Sequence, residues 1–568
     1  MLKSARSRIS DWNPQLVREI KGRWKGRNLI IAVGASVFAQ LSTYLVFNER
    51  IPSQAGRIHR YCVGTPPEDS ISPAQFHNPP SNYCSENGAG EIITNWQLWW
   101  LDLFTFLSVS FLIILLVAGT YLLITNLAQE EQKGTLKLVR LSPRSVGNLL
   151  VGKMLGTPIL VYSAIFLALP LQFMAGVSAG IPISLIFGFY VVVIASCAFF
   201  YSVALLYGLV STGLGNYQAW LGTGTMFCFL IFATHLGLDN HLVNHNTLDW
   251  LVLFYPGKIL PYLIGQTPHS LGTIGYFHLK EMASLTWYDF PLWETASGAI
   301  GLLLLNYAWW TYWVWQGLKR CFHNPKATLL SKQESYWITG SLTVSLAGFM
   351  YPSTDQSVNL TENFQLYLLL QFFFFFLLMS ALSPHRQTLQ DWARYRYQNN
   401  DKATRNLVTD LMKGEQSPAP GAIALNLLSS MIIILPAVIM FPFGNSRLEI
   451  LSSLIMASTV FLFYASLVQL VLLMKTEKRT LFATIAVASV ILIPTILGAT
   501  LGFPPEFTFL FFPTYEIGAM SAGSIIFTLM MRSLAIIACN VALSSQLKKV
   551  GASQSKALYS ESKILSQG

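Results

Sequence analysis

From position 103 to position 125 the chain runs without a single charged residue, and comparable stretches recur along most of its length. Crossing roughly 30 Å of hydrocarbon takes about 20 helical residues, and the apolar stretches reach that length again and again. Composition agrees. Hydrophobic residues make up 53% of the chain, charged residues 11%, and mean hydropathy is +0.47, whereas soluble domains carry about 25% charge. The chain reads as an all-α polytopic membrane protein of about twelve transmembrane helices. The spans fall at 29–47, 103–125, 155–174, 183–206, 220–236 and 296–315, then 337–350, 364–382, 422–440, 450–474, 481–501 and 521–543. The 337–350 stretch is the shortest of them. No small-residue cleavage site follows the first span, which therefore reads as a retained anchor.

The basic residues set the orientation. With the amino terminus in the cytoplasm, about thirty of the 37 Lys and Arg fall in inside loops, as the positive-inside rule requires. Those loops hold Arg18, Lys21, Arg23, Lys25 and Arg27, then 133–153, 319–332, 386–413, 475–479 and 548–563. The expected location is the cell (inner or plasma) membrane. The net charge of +10 is thereby explained by topology and calls for no nucleic-acid partner. Cys62 and Cys84 share the long outside loop that begins at Asn48. A disulfide can persist there, free thiols being the alternative. Cys197, Cys228, Cys321 and Cys539 read as ordinary thiols.

Ahead of the first span, Leu16, Val17, Ile20 and Trp24 recur at helical spacing while Arg18, Lys21 and Lys25 point elsewhere. Residues 1–28 thus carry an interfacial helix, with basic heads toward anionic lipid. After the second span comes a polar helical segment, "EEQKGTLKLVRLSPRSVGNLLVGKMLG", at 130–156. Its "GNLLVGKM" resembles a phosphate-binding loop but lacks a preceding strand and ends in Met154 where a Ser or Thr hydroxyl should meet magnesium. It also runs straight into a membrane span. No soluble segment is long enough for an ATPase domain.

The same segment resembles the cytoplasmic loop between the second and third transmembrane helices of ABC-2-type transporter permeases. Glu130, Gly134, Thr135, Leu136, Leu138, Ser142, Pro143, Ser145, Leu150, Gly152 and Lys153 carry that resemblance. It implies a coupling helix that docks on a separate ATP-hydrolysing subunit, with ATP and Mg bound by that partner and no cofactor held by this chain. Glu130, Glu131, Lys133, Lys137 and Arg140 offer charge-complementary contacts, and Leu136, Leu138 and Val139 offer anchors. The segment 251–265, with Phe254, Tyr255 and Pro256, looks like the re-entrant outer hairpin of an ABC-2 half. Irregular backbone at such depth must be enclosed by protein or water.

The second half repeats these landmarks weakly. Ser417 and Pro418 stand where Ser142 and Pro143 do, and Phe511, Phe512 and Pro513 where Phe254, Tyr255 and Pro256 do. Six spans followed by six fit a parallel repeat, with halves at 29–335 and 336–547 and a cytoplasmic tail at 548–568. The second loop lacks Gly-Thr-Leu and the closing Gly-Lys. The resemblance therefore implies an exporter permease working with two ATPase subunits, or a homodimer in which only the first halves couple. An ATP-independent lipid or small-molecule carrier or flippase is the alternative.

Three further features have two readings each. His235, His241 and His245 with Asp239 could hint at a metal, but Leu242 replaces the Glu of a zinc motif, and interfacial polar residues are the commoner cause, so no metal is expected. The six aromatics of Tyr307 to Gln316 suit an interfacial belt or a stacking surface. Arg532 either faces the bundle interior, with Glu506 or Glu516 as partners, or snorkels to the surface. Apart from Arg532, hardly an ionisable side chain lies deep in a span, which argues against an ion-coupled carrier. Only the histidines hint at an enzyme.

Overall fold

The structure is a computed structural model of the chain. It describes residues 12–64, 82–88, 90–215, 217–238, 246–269, 285–351, 360–398, 407–441, 443, 447–476, 478–501 and 521–565. Among these the fold is all-α, with no strand beyond isolated bridges. Nine helices among the described residues are long and apolar enough to cross a membrane, so the chain is a multi-pass membrane protein. Seventeen helices, including those nine, are numbered below; shorter helical turns carry no label.

The chain divides into two compact units. The first comprises Met1–Asn244, Leu251–Leu285 and Pro291–His323. It contains α1 (Pro14–Arg23), α2 (Gly26–Glu49), α3 (Trp96–Gln132), α4 (Thr135–Arg140), α5 (Val146–Gly156), α6 (Ile159–Ser178), α7 (Ile183–Val210), α8 (Tyr217–Leu238) and α9 (Ala296–His323). At its centre is α3, which packs on α6, α7 and α8, while α7 packs on α9 and α2 on α6. Asn95 caps the start of α3 by accepting from the Leu98 amide. Its end is set by Gly134, whose φ of 68° is the left-handed conformation that glycine adopts at little cost. Gly119 lets α7 close in, since a Cβ there would fall on the Tyr201 ring, and the Tyr201 hydroxyl donates to the Leu115 carbonyl at 2.6 Å.

One expected span is divided. The 155–174 stretch is two helices, because Pro158 lacks the N–H that would continue α5 and so separates it from α6. Leu155 belongs to the polar loop's last helix, not to the span. In addition, α8, α9 and Lys332–Met350 are long helices outside the nine.

The second unit comprises His245–Trp250, Thr286–Phe290 and Asn324–Gly568. Its helices are α10 (Lys332–Met350), α11 (Leu360–Leu382), α12 (Arg386–Gln398), α13 (Leu407–Lys413), α14 (Ala419–Met440), α15 (Arg447–Leu472), α16 (Arg479–Leu501) and α17 (Ala522–Leu565). Here α10 packs on α14, α14 on α15, and α15 on α11, α16 and α17. A buried polar seam joins α10, α11 and α14. Asn426 donates to Ser335 and accepts from Thr339, Thr343 donates to Ser430, and Gln371 donates to Thr343 and Tyr367, all at 2.7 to 3.2 Å. In hydrocarbon such bonds supply the adhesion that apolar faces alone do not.

Outside the spans of the first unit, Cys62 and Cys84 form a disulfide. The segment they close is tied to the membrane helices by Arg60, whose guanidinium grips the fully buried Asp102 of α3 through two bonds of 2.6 and 2.8 Å. The Tyr61 hydroxyl adds a third at 2.8 Å. Cys62→Ser should loosen this segment by about 3 kcal/mol, from the entropy of a loop of this size. Hydrogen exchange should therefore quicken over 50–64 and 82–95 while α3 and α6 keep their protection.

Candidate functional site

The polar segment after α3 folds into two short helices on a buried base. Gly134 turns the chain, α4 follows, Ser142 and Pro143 end it, and Ser145 caps α5 by accepting from the Asn148 amide. Leu136 and Val139 of α4 point inward and join the core cluster that includes Phe322 of α9. Leu138 and Leu141 point the other way and are 70% and 81% exposed. Lys133, Lys137, Pro143 and Arg144 are exposed beside them. The solvent side of the loop is thus two leucines framed by cations.

Beneath it lies an ion cluster. Lys153 on α5 is fully buried, and its ammonium lies 2.7 Å from Glu130 Oε2 at the end of α3 and 3.6 Å from Glu19 Oε1 on α1. It also donates to Asn126 Oδ1 at 2.8 Å. Arg18 reaches the other Glu130 oxygen at 2.7 Å, and Arg23 lies 3.5 Å from Glu19. A buried ammonium needs such partners, and removing one member of a buried pair typically costs 3–5 kcal/mol. Glu131 is half-buried, 4.0 Å from Arg140, whose guanidinium lies over the Phe322 ring.

The approach of α1 to α5 depends on two glycines. A Cβ at Gly152 would stand 2.6 Å from Asn13 Oδ1 and 2.9 Å from the Leu16 nitrogen, and one at Gly156 would stand 2.6 Å from the Glu19 Cβ. Asn13 caps α1 through that same oxygen and donates to the Asn148 carbonyl at 2.6 Å. Gly152 and Gly156 form the small-xxx-small spacing that lets helix backbones touch.

The structure therefore sorts the sequence-predicted residues. Glu130, Leu136, Gly152 and Lys153 build the base, and Gly134 and Thr135 shape the turn, Thr135 donating to the Glu130 carbonyl. Leu138 and Pro143 are presented outward, with Ser142 partly covered beside them. Glu19, Arg18, Asn13 and Asn126 were missed. The signal for them was Lys153 itself, a cation in an apolar run that demanded a counter-charge. Of the α1 stripe, Leu16 is buried with Gln15 and Glu19 on the α5 side, whereas Trp24 is exposed.

The second-half loop is built differently. Ser417 is fully buried and Pro418 is buried as the cap of α14. Lys332, ahead of the apolar stretch of α10, donates to Ser417 Oγ at 2.5 Å, the Leu411 carbonyl at 2.9 Å and the Pro418 carbonyl at 3.2 Å. Burial pulls its ammonium from the ordinary 10.5 down to about 8, against the opposing pull of Asp410. Asp410 is itself paired with Arg396 at 2.7 Å.

Phe254, Tyr255 and Pro256 are buried within the first unit. The Tyr255 hydroxyl accepts from Thr234, and the Phe254 carbonyl accepts from the Tyr307 hydroxyl at 3.0 Å. Protein encloses this irregular stretch, as its backbone requires. Of the six aromatics after it, Tyr307 is buried whereas Trp309 and Tyr312 are exposed. Arg532 is buried, donating to the Met456 carbonyl at 2.7 Å and Thr459 Oγ1 at 3.3 Å, so it faces α15 and does not snorkel. Phe511, Phe512, Pro513, Glu506, Glu516, Asp239, His241 and His245 lie outside the described residues. Among the described residues no group of His, Cys, Asp and Glu could hold a metal.

Comparison with family models, with curated proteins and with solved structures finds no match to this chain.

Gly152→Val should force α1 off α5, costing about 1–3 kcal/mol as overpacking does, and should expose 14–23 to limited proteolysis at temperatures where the parent resists. Lys332 gives a pH signature. Its folded value lies below its unfolded one, so the unfolded state binds more protons between about pH 8 and 10.5 and stability rises with pH across that window, by on the order of 3 kcal/mol. Below that window the contribution is flat. Melting curves in detergent should show the rise, and Lys332→Met should abolish it.

Proposed function

We propose that the chain is the membrane-spanning subunit of an ABC-2-type exporter. It would carry two six-helix halves, twelve helices in all, in the cell (inner or plasma) membrane with its amino terminus cytoplasmic. Energy would come from separate ATPase subunits, which bind the ATP and Mg, through the segment 130–156. The observation that carries this reading is the pairing of an exposed Leu138 and Leu141 knob with a base that is buried and ion-paired. A loop with no mechanical duty has no reason to hold exposed apolar side chains on so firm a footing. The cations around the knob fit a partner groove of opposite charge.

Support for two halves comes from the units taken separately. In each, the first long helix packs on the third, the second on the third and fourth, and the fourth on the sixth. The third helix of each carries an internal proline, Pro170 in α6 and Pro436 in α14. Within such halves cargo would move by rigid-body shifts that the partner's ATP cycle drives. The buried Ser417 and Pro418 favour an arrangement in which the two loops have unequal roles.

Charge reversal at Glu130 would not test docking, since it would break the base. Leu138→Asp with Leu141→Asp is the cleaner probe. The double variant should keep the parent's melting temperature and lose co-purification with the ATP-hydrolysing subunit by tenfold or more, about 1.4 kcal/mol, with ATP-driven efflux from vesicles lost alongside. Undiminished association and efflux would remove the proposal. Efflux that ignored ATP and followed an ion gradient would favour the carrier.

A further inference from the structure

The helix α1 has two unlike faces, and only one of them is accounted for by the packing on α5. Gln15, Leu16 and Glu19 are buried. Glu19 is the only acidic residue between positions 12 and 28, and it is turned toward Lys153 and Arg23. On the remaining surface Lys21, Lys25 and Arg27 are exposed, with Trp24 47% exposed among them. None of those three cations makes an ion pair among the described residues. Helix α1 ends at Arg23 and α2 begins at Gly26, so the cations surround the turn at which the chain enters the bilayer. Near the start of α2, Ile30 and Ile31 are exposed, as is Phe38 farther along. Exposed apolar side chains in a helix long enough to cross a membrane suit a lipid surround.

We propose that this junction is a binding site for the anionic headgroups of the adjacent lipid leaflet, and that lipid held there bears directly on the segment 130–156. The chemistry favours a membrane surface over a protein groove. An unopposed cluster of cations beside a tryptophan, next to lipid-facing isoleucines, matches the interface in both charge and depth. Each Lys or Arg near such a surface contributes about fivefold to local association, so the three together contribute on the order of a hundredfold.

The second part follows from the contacts that weld α1 to α5. Gly152 and Gly156 leave no gap between the helices. Asn13 donates to the Asn148 carbonyl, Lys153 lies beside Glu19, and Arg18 grips Glu130. Lipid that draws α1 to the surface therefore holds α5 and the end of α3 in place. That such a hold tunes coupling rests on the function proposed above; the lipid site itself does not.

The test uses the full chain without any ATPase, in nanodiscs of phosphatidylcholine alone and of phosphatidylcholine with phosphatidylglycerol, read by hydrogen exchange. Phosphatidylglycerol should slow exchange by at least about tenfold over 14–31, and exchange over 146–156 should slow with it. High salt should reverse both effects, and so should the K21Q/K25Q/R27Q variant, which should melt like the parent in phosphatidylcholine. Equal exchange in the two lipids would overturn the site. So would slowing that survives in the variant, or protection that arises only when an ATPase subunit is added, which would assign the face to protein. Slowing over 14–31 without any over 146–156 would overturn the weld. Since no ATPase is present in the lipid arms, failure of the Leu138 and Leu141 experiment leaves these outcomes unaffected.

Discussion

An ammonium sealed away from water must find its counter-charge inside the protein, and the end of the first unit where α1 meets α5 is organised by that requirement. Lys153 meets Glu130 and Glu19. Those two carboxylates come from α3 and α1, so satisfying one cation joins α1, α3 and α5. Arg18 and Arg23 neutralise what remains. The glycines at 152 and 156 are then a geometric consequence, because the carboxylate of Glu19 reaches Lys153 only if the backbones of α1 and α5 touch. The exposed leucines of α4 stand on this base, and the position of any partner surface they engage is fixed by it.

Much of this architecture was legible in the sequence, and the parts that were not share a physical cause. Hydropathy finds a span when its polar residues are few, which is why α3, α7 and α15 are unmistakable. The signal is weaker in α8, α9 and α10, read as spans at 220–236, 296–315 and 337–350, whose buried polar residues include Thr223 and Thr234, Asn306, and Ser335, Thr339 and Thr343. Hydrogen bonds satisfy several of these groups, so they cost little in place yet lower the apolar signal. The disulfide was foreseeable because both cysteines share one outer loop. The ion cluster was not, since nothing local to Lys153 indicates that its partner is Glu19. Gly152 and Lys153, to which the motif drew attention, lie inside the chain and not on the surface it presents.

The two Ser-Pro pairs sit in unlike surroundings. Ser142 and Pro143 end α4 near the surface. Ser417 and Pro418 are sealed under Lys332, which stands at the start of α10 and donates to a hydroxyl and two carbonyls. In the first unit the buried cation sits on the loop and its carboxylates sit on the helices. In the second the cation sits on the helix and the loop supplies neutral oxygens, with the carboxylate of Asp410 paired to Arg396 instead. Burial among neutral acceptors draws the Lys332 ammonium below its ordinary value, so this end of the second unit responds to alkaline pH.

The two ties that matter most in the first unit are made by one helix. Asp102, near the start of α3, holds Arg60 and Tyr61 of the disulfide-closed segment, and Glu130, near its end, holds Lys153 and Arg18. The 28 positions between them correspond to about 42 Å of α-helix, more than the thickness of the hydrocarbon. Both carboxylates are buried and multiply bonded, and no proline interrupts α3 between them, whereas α6 contains Pro170. A displacement imposed on α4 at one end of α3 would therefore be carried along a rod whose other end is already fastened to the disulfide-closed segment. If force does enter at Leu138 and Leu141, α3 is the element that can deliver it across the bilayer without bending, and α6 is the one that can yield.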